Sequence, residues 1–143
     1  KFFKEYKSTG KESAIMMVDI DDFKNINDQY GHEVGDAVLM EIVKRLNHDI
    51  RSSDQLIRWG GDEFVGIFPG LREEHIKGFG EKLLTEISLL KIPVGNRTVS
   101  VTMSMGFSYF KETDIDYNDV LKRADDAMYQ SKKQGKNRYG III

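Results

Sequence analysis

Three stretches of this 143-residue chain hold its chemically useful side chains. Asp19, Asp21, Asp22 and Asp28 crowd one short segment. Asp62 and Glu63 directly follow the pair Gly60-Gly61. The segment Lys132-Lys133-Gln134-Gly135-Lys136-Asn137-Arg138 is basic. Carboxylates brought in from two strand ends suit Mg²⁺, a hard cation held by one or two carboxylates together with substrate phosphates. Glycines at a turn permit positive φ and let a nucleotide approach the backbone. If the chain after Asp19 enters a helix, its open N–H groups, from Asp22 and Phe23 onward, face a phosphate. The plainer alternative is that Asp19 caps a helix and Gly60-Gly61-Asp62-Glu63 is a solvated turn. The cation reading requires the end of the Asp19 segment to lie beside the glycine turn.

The elements that would position these groups are legible from periodicity. Ala14-Ile15-Met16-Met17-Val18 is a continuous apolar run, as in a strand buried on both faces. It ends at Asp19-Ile20-Asp21-Asp22, and Asp22 is placed to cap a short helix through Asn27. Gly31 interrupts the chain. Val34, Val38, Leu39, Ile42, Val43, Leu46 and Ile50 then give a longer helix one apolar face. Leu56 to Trp59 and Glu63 to Phe68 read as a β-hairpin about Gly60-Gly61. Ile76, Phe79, Leu83, Ile87 and Leu90 mark another amphipathic helix. From Val99 to Tyr109 large and small residues alternate, which predicts one strand lying under something closely packed. Ile92-Pro93-Val94, before Gly95-Asn96, reads as its hairpin partner. Val120, Ala124, Ala127, Met128 and Ser131 define a last helix, and Tyr139 to Ile143 a final strand. Residues 1–9 read as the end of a helix with Phe2, Phe3 and Tyr6 on one side. The expected fold is an α+β sandwich with helices on one face of a largely antiparallel sheet, with a ferredoxin-like core.

Composition bounds the function classes. The length suits one domain, residues 1–143. A formal net charge of −2 gives no general attraction to nucleic acid or anionic lipid. There is no cysteine, which excludes disulfides and thiolate metal sites and agrees with a reducing, cytoplasmic setting. No apolar run reaches the length of a membrane span. His32, His48 and His75 have no zinc-like spacing, and no Walker A or GxGxxG sequence is present. The first residue is not Met, so the chain reads as an excerpt of a longer protein, which could itself be membrane-anchored.

Five ordered motifs together resemble the GGDEF family of diguanylate cyclases, over nearly the whole chain. Arg58-Trp59-Gly60-Gly61-Asp62-Glu63-Phe64 carries the motif that names the family. Asp19 through His32, continued by Gly35-Asp36, resembles its first-strand motif. Val101-Thr102-Met103-Ser104-Met105-Gly106 resembles a later core strand. Ala124-Asp125-Asp126-Ala127-Met128-Tyr129 and Lys132 to Arg138 resemble the terminal helix and its exit. The resemblance implies a mostly antiparallel sheet flanked by helices, like the palm of nucleotidyl cyclases and polymerases. It implies condensation of two GTP into cyclic di-GMP with release of pyrophosphate, in a transient homodimer whose two domains meet antiparallel.

Residue by residue, the resemblance implies that Asp19, Asp62, Glu63 and the main-chain carbonyl of Ile20 hold Mg²⁺, for which Mn²⁺ can substitute. Asp62 and Glu63 are the expected catalytic residues. Asp62 is the position usually proposed as general base, although a metal-bound carboxylate is a poor base, so both roles stay open. Asn27 and Asp36 match guanine contacts; a carboxylate can accept from both N1–H and the 2-amino group of guanine, which adenine cannot offer. Asp22 and Phe23 amides, Lys132 and Lys136 match phosphate contacts. Position 136 is often Arg in the family, and Lys keeps the charge but loses the bidentate fork. Arg51 and Asp54 have the RxxD spacing of the family's product-inhibition site for cyclic di-GMP; on their own they read as a helix end and a turn. Family domains also carry a Leu-Thr-Gly-Leu-type segment ahead of the first helix, absent here, and an N-terminal sensory or regulatory domain is the expected missing partner. The rival readings are a non-catalytic module that binds GTP or cyclic di-GMP, a bare dimerisation module, and a mixed-dinucleotide synthase.

Overall fold

The structure, a computed structural model, describes residues 13–143; the helix expected over residues 1–9 lies outside them. The first described element is strand β1 (Ser13–Ile20), buried along its whole length. Its alternation splits between two cores. Ala14, Met16, Val18 and Ile20 face one, and Ile15 and Met17 face the other. That double burial is why this strand reads as a continuous apolar run.

Helices α1 (Phe23–Tyr30) and α2 (His32–Asp49) follow β1, separated by Gly31 at φ 93°. Strands β2 (Gln55–Gly60) and β3 (Glu63–Pro69) form the hairpin. Helix α3 (Glu73–Ser88) comes next, then the short strands β4 (Ile92–Val94) and β5 (Arg97–Val99), strand β6 (Met103–Tyr109), helix α4 (Tyr117–Lys133) and strand β7 (Tyr139–Ile141). The five-stranded sheet has the order β2-β3-β1-β6-β7. β1 runs antiparallel to β3 and β6, β2 antiparallel to β3, and β7 parallel to β6. The fold is therefore α+β with a mixed, mostly antiparallel central sheet.

Two sequence expectations are corrected. The helices do not share one face. Phe23, Ile26, Val38, Ile42, Leu46, Ile76, Leu83 and Ile87, from α1 to α3, pack with one side of β1 and β6. Val120, Ala124 and Met128 of α4 pack on the opposite side. The stretch Val99 to Tyr109 is not one strand either. Val99 pairs with Ile92 in a separate two-stranded ribbon, and β6 begins at Met103. Thr102 lies between the two, just ahead of β6; its carbonyl accepts the Asp21 N–H at 2.9 Å, one step beyond the Ile20–Met103 pair, and its hydroxyl donates to the Asp21 carboxylate at 2.7 Å. Val99 and Val101 stay buried, so the alternation continues while the strand does not.

The small residues of β6 lie under α4, as their pattern predicts. A Cβ on Gly106 would stand 2.8 Å from the Ala127 carbonyl carbon and nearer still to Ala124 O and Met128 N. The helix backbone thus rests directly on the strand. Two devices fasten it there. Asp116 caps the helix in a reciprocal box with Asp119. The Arg123 guanidinium, nearly buried, forks onto Asp114 with both contacts at 2.8 Å and reaches Tyr109 O at 2.7 Å. Arg123 holds the Asp114 carboxyl below the usual carboxylate range. Among the described residues no helix is long and apolar enough to cross a membrane.

Candidate functional site

The site forms where β1 ends. Asp19 is opposite Glu63 in the β1–β3 register and opposite Ser104 in the β1–β6 register. The Ile20 N–H donates to the Asp62 carbonyl at 3.3 Å, which ties the glycine turn to the tip of the central strand. Gly61 takes φ 52°, and the β2–β3 register shifts between Arg58 and Gly60. Arg58, whose role no local pattern signals, straps this turn by donating from Nε and Nη2 to Gly61 O at 3.0 and 2.7 Å. The turn therefore delivers Asp62 to Asp19 rather than pointing it into solvent.

Asp19 is odd-numbered in β1, so its side chain lies on the α4 side of the sheet. There it meets the carboxyl of Asp62, within hydrogen-bonding reach, and the ammonium of Lys132 from the last turn of α4. One oxygen, Asp19 Oδ1, is buried without a hydrogen-bond partner. Burial and the adjacent Asp62 push the Asp19 carboxyl up to about 6, against the opposing pull of Lys132. Glu63 is also raised, first by burial and then by the charges of Asp19 and Asp125, with Lys132 again opposing. Asp125, on the site-facing side of α4, is a contributor that the sequence reading did not single out.

These donors fit a divalent cation. Two close carboxylates leave a buried acceptor oxygen unpaired, which is costly unless a cation or proton completes it. Among the described residues no three acidic or histidine side chains converge as a ligand set. An ion here would take Asp19 and Asp62 and complete its shell from the nearby backbone, water and phosphate oxygens, the habit of Mg²⁺.

The phosphate candidates cluster beside this pair. Asp22 sits at φ 58°, and its side chain makes no capping bond to α1, contrary to the helix-cap expectation. Its carbonyl accepts from Asn25 and Ile26 N–H instead, and its carboxylate takes the Lys136 ammonium at 2.7 Å. The left-handed conformation aims the side chain away from the first turn, where the amides of Asp22 and Phe23 stand. Lys132 and Lys136 thus arrive together at the β1–α1 turn, each on an aspartate. Asp21, in sequence only one of a crowd of aspartates, is buried at their base. It accepts from Thr102 and Ser104 hydroxyls, both at 2.7 Å, and from Asn137 N–H at 3.0 Å. A partner separated by more than eighty residues leaves no local signal, so only the repeat of Asp at positions 19 and 21 marked it.

Asn27 and Asp36 lie at the α1–α2 junction. The Asn27 side chain touches Gly35 so closely that any Cβ there would collide with it. Asp36 opens onto a groove of about 630 Å³ walled by Leu39, Met40, Val43, Leu56 and Phe64, with Lys44 and Arg58 also lining it. A largely apolar groove with a carboxylate among its few polar groups suits a planar, hydrogen-bonding base. Arg51 and Asp54 stand apart at the foot of β2. Arg51 forks onto Asp54 at 2.9 and 3.2 Å and donates to Pro69 O at 2.7 Å, while the Asp54 carboxylate is buried. The turn geometry is thus self-satisfied, and the Arg51 side chain remains more than half exposed at 57%.

An α+β domain with paired carboxylates at a strand tip, two lysines beside them and an apolar slot is a nucleotide-handling scaffold in its geometry. The family profile described as "Diguanylate cyclase, GGDEF domain" matches residues 2–138, and the chain belongs to this family. It is 35% identical over 125 residues to diguanylate cyclase A of Treponema denticola, covering 87% of this chain and 34% of that protein. It is 31% identical over 131 residues to diguanylate cyclase DosC of Escherichia coli K12, covering 91% of this chain and 28% of that protein. The chain therefore spans about a third of the length of these curated relatives. Among solved structures, diguanylate cyclase SiaD of Pseudomonas aeruginosa, in complex with its activator SiaC, superposes with a TM-score of 0.93 at 30% identity, covering 98% of this chain and 54% of that one. The GGDEF domain of DgcB from Caulobacter crescentus, in complex with c-di-GMP, gives 0.91 at 30% identity, covering 96% and 82%.

Proposed function

We propose that this domain condenses two GTP molecules into cyclic di-GMP, each domain of an antiparallel homodimer presenting one nucleotide. The observation that carries this reading is the buried, unpartnered Asp19 Oδ1 beside Asp62, with Lys132 on the other Asp19 oxygen and Lys136 on the neighbouring Asp22. In each half-reaction the 3′-oxygen of one GTP bonds to the α-phosphorus of the other. The bond to the β-phosphate bridging oxygen breaks, pyrophosphate leaves, and the hydroxyl proton passes to solvent or a carboxylate. Two such events close the ring.

Asp19 and Asp62, with the Ile20 carbonyl, would hold Mg²⁺ or Mn²⁺, and Glu63 would add its negative charge beside them. When bound, the ion would neutralise charge at the α-phosphate and acidify the attacking hydroxyl. Lys132 and Lys136 bind the β- and γ-phosphates, helped by the open Asp22 and Phe23 amides. Asn27 and Asp36 hold guanine at the mouth of the apolar slot. Arg51 and Asp54 form a regulatory site for the product, where the exposed guanidinium reads the Hoogsteen edge of guanine and a phosphate. A single domain cannot bring nucleophile and phosphate together, so turnover rises steeply with protein concentration. An upstream sensory or regulatory domain, outside this chain, would control that encounter in the cytoplasm.

Concentrated protein incubated with GTP and Mg²⁺, with products resolved by mass, tests the reading. A cyclic dinucleotide supports it, and Asp62→Ala abolishes turnover while leaving the fold intact. Nucleotide binding without conversion would instead identify a non-catalytic receptor.

A further inference from the structure

Asp21 is a buried carboxylate that makes no ion pair among the described residues. Its oxygens accept only neutral donors: the Thr102 and Ser104 hydroxyls and the Asn137 amide. Its own N–H donates to Thr102 O. A charge is costly to bury, so what it holds in place matters.

What it holds is an unusual turn. Lys136 and Asn137 are consecutive non-glycine residues in the left-handed region, at φ 65° and 50°, directly after Gly135. Such conformations persist where surrounding contacts over-determine them. On the helix side, Lys136 N–H returns to Ser131 O at 3.0 Å. Beyond the turn, Arg138 O accepts from Met105 N–H at 3.0 Å. Between these anchors, the bond from Asn137 N–H to Asp21 joins the turn to the tip of the central strand. It fixes where the Lys136 side chain starts, and that side chain ends on Asp22 at the mouth of α1.

We propose that Asp21 is a positioning residue for triphosphate recognition, acting through Lys136 by pinning the left-handed turn that carries it. The proposal rests on the phosphate role given to Lys136 above. It assigns Asp21 no contact with metal or nucleotide, although its neighbours in sequence are given such contacts. The role needs an acceptor oxygen rather than a charge. Asparagine can keep that oxygen toward Asn137 N–H and turn its amide nitrogen toward the Ser104 hydroxyl, which can rotate to accept.

Binding of 3′-deoxy-GTP, which lacks the attacking hydroxyl, is compared with binding of GMP by titration calorimetry in the presence of Mg²⁺. The proteins are the wild type, Asp21→Ala, Asp21→Asn, Lys136→Met and Asp21→Ala/Lys136→Met. Asp21→Ala is expected to weaken the triphosphate about tenfold and GMP less than about twofold. Asp21→Asn is expected to restore most of the loss. In the Lys136→Met background Asp21→Ala is expected to cost nothing further, the non-additivity of residues acting as a unit. Equal losses for both nucleotides, additive losses, or an Asp21→Asn variant as weak as Asp21→Ala would each overturn the proposal while leaving the cyclase reading standing. A wild type that binds no 3′-deoxy-GTP would overturn both. Should Asp21→Ala not fold, Asn137→Val disturbs the same turn from its other side, since a β-branched residue resists φ 50°. The same triphosphate-selective, Lys136-dependent loss is then expected, and its absence overturns the proposal.

Discussion

Gly106→Ala should damage both stability and catalysis, because one methyl group lies between β6 and the helix that carries Lys132. The added Cβ would stand 2.8 Å from the Ala127 carbonyl carbon, against 3.4 Å for ordinary contact, and nearer to Ala124 O and Met128 N. All three are helix backbone atoms, so no rotamer change relieves the overlap. The helix must withdraw by at least 0.6 Å on the Ala127 contact alone and further for the other two. Overpacking of this kind costs about 3 kcal/mol. For a domain of this length that lowers Tm by roughly 10 °C. Withdrawal of about 1 Å also displaces Lys132 and Asp125 from the carboxylate pair, and a shift of that size can reduce turnover by about a hundredfold. Thermal unfolding by circular dichroism and dinucleotide synthesis at equal folded concentration measure the two effects. A variant with unchanged Tm and activity would refute the claim that α4 is seated directly on β6. A variant that is destabilised yet fully active below its Tm would refute the link from helix seating to the site.

The other predictions concern the site. Since Asp19 titrates near 6 and a cation needs it ionised, affinity for Mn²⁺ should be full above that pH and fall progressively below it, as measured by calorimetry. In the metal-free protein the sign reverses: a folded-state pKa above the ordinary 3.8 means the native state binds the proton more tightly, so this group's contribution to stability grows as pH falls through 6 toward 3.8. Asp19→Asn should remove that dependence. Asp36→Asn places an amide donor against guanine N1–H and the 2-amino group, and should cut the preference for GTP over ATP by about a hundredfold in competitive turnover. Arg51→Ala should leave synthesis at low product unchanged and abolish inhibition by added cyclic di-GMP; a variant that still responds would remove the regulatory role from this turn.

The elements were largely legible because each obeys a short-range rule. β1 showed itself as an apolar run, α2 and α3 by apolar stripes, and the glycine hairpin by its flanking runs. The errors arose where a remote partner decides. An aspartate before a helix predicts a cap at Asp22; Lys136, more than a hundred residues away, takes its side chain instead. The alternating burial from Val99 predicts one strand, yet Val99 pairs with Ile92 in a separate ribbon and β6 begins only at Met103. The placing of all helices on one face failed because an amphipathic stripe reports that a helix is covered without reporting which side of the sheet covers it.

By itself the sequence determined which side chains are present and their local settings: a strand ending in Asp19, a glycine turn before Asp62, and a helix ending in lysines. It also carried the five motifs on which the family resemblance rests. The tertiary structure decided that Asp62 meets Asp19, that Lys132 and Lys136 reach the same turn from the end of α4, and that Asp21 anchors it. These contacts join segments distant in the chain, and their geometry comes from strand register and helix seating. Both follow from packing of the whole core, which no local window of residues contains.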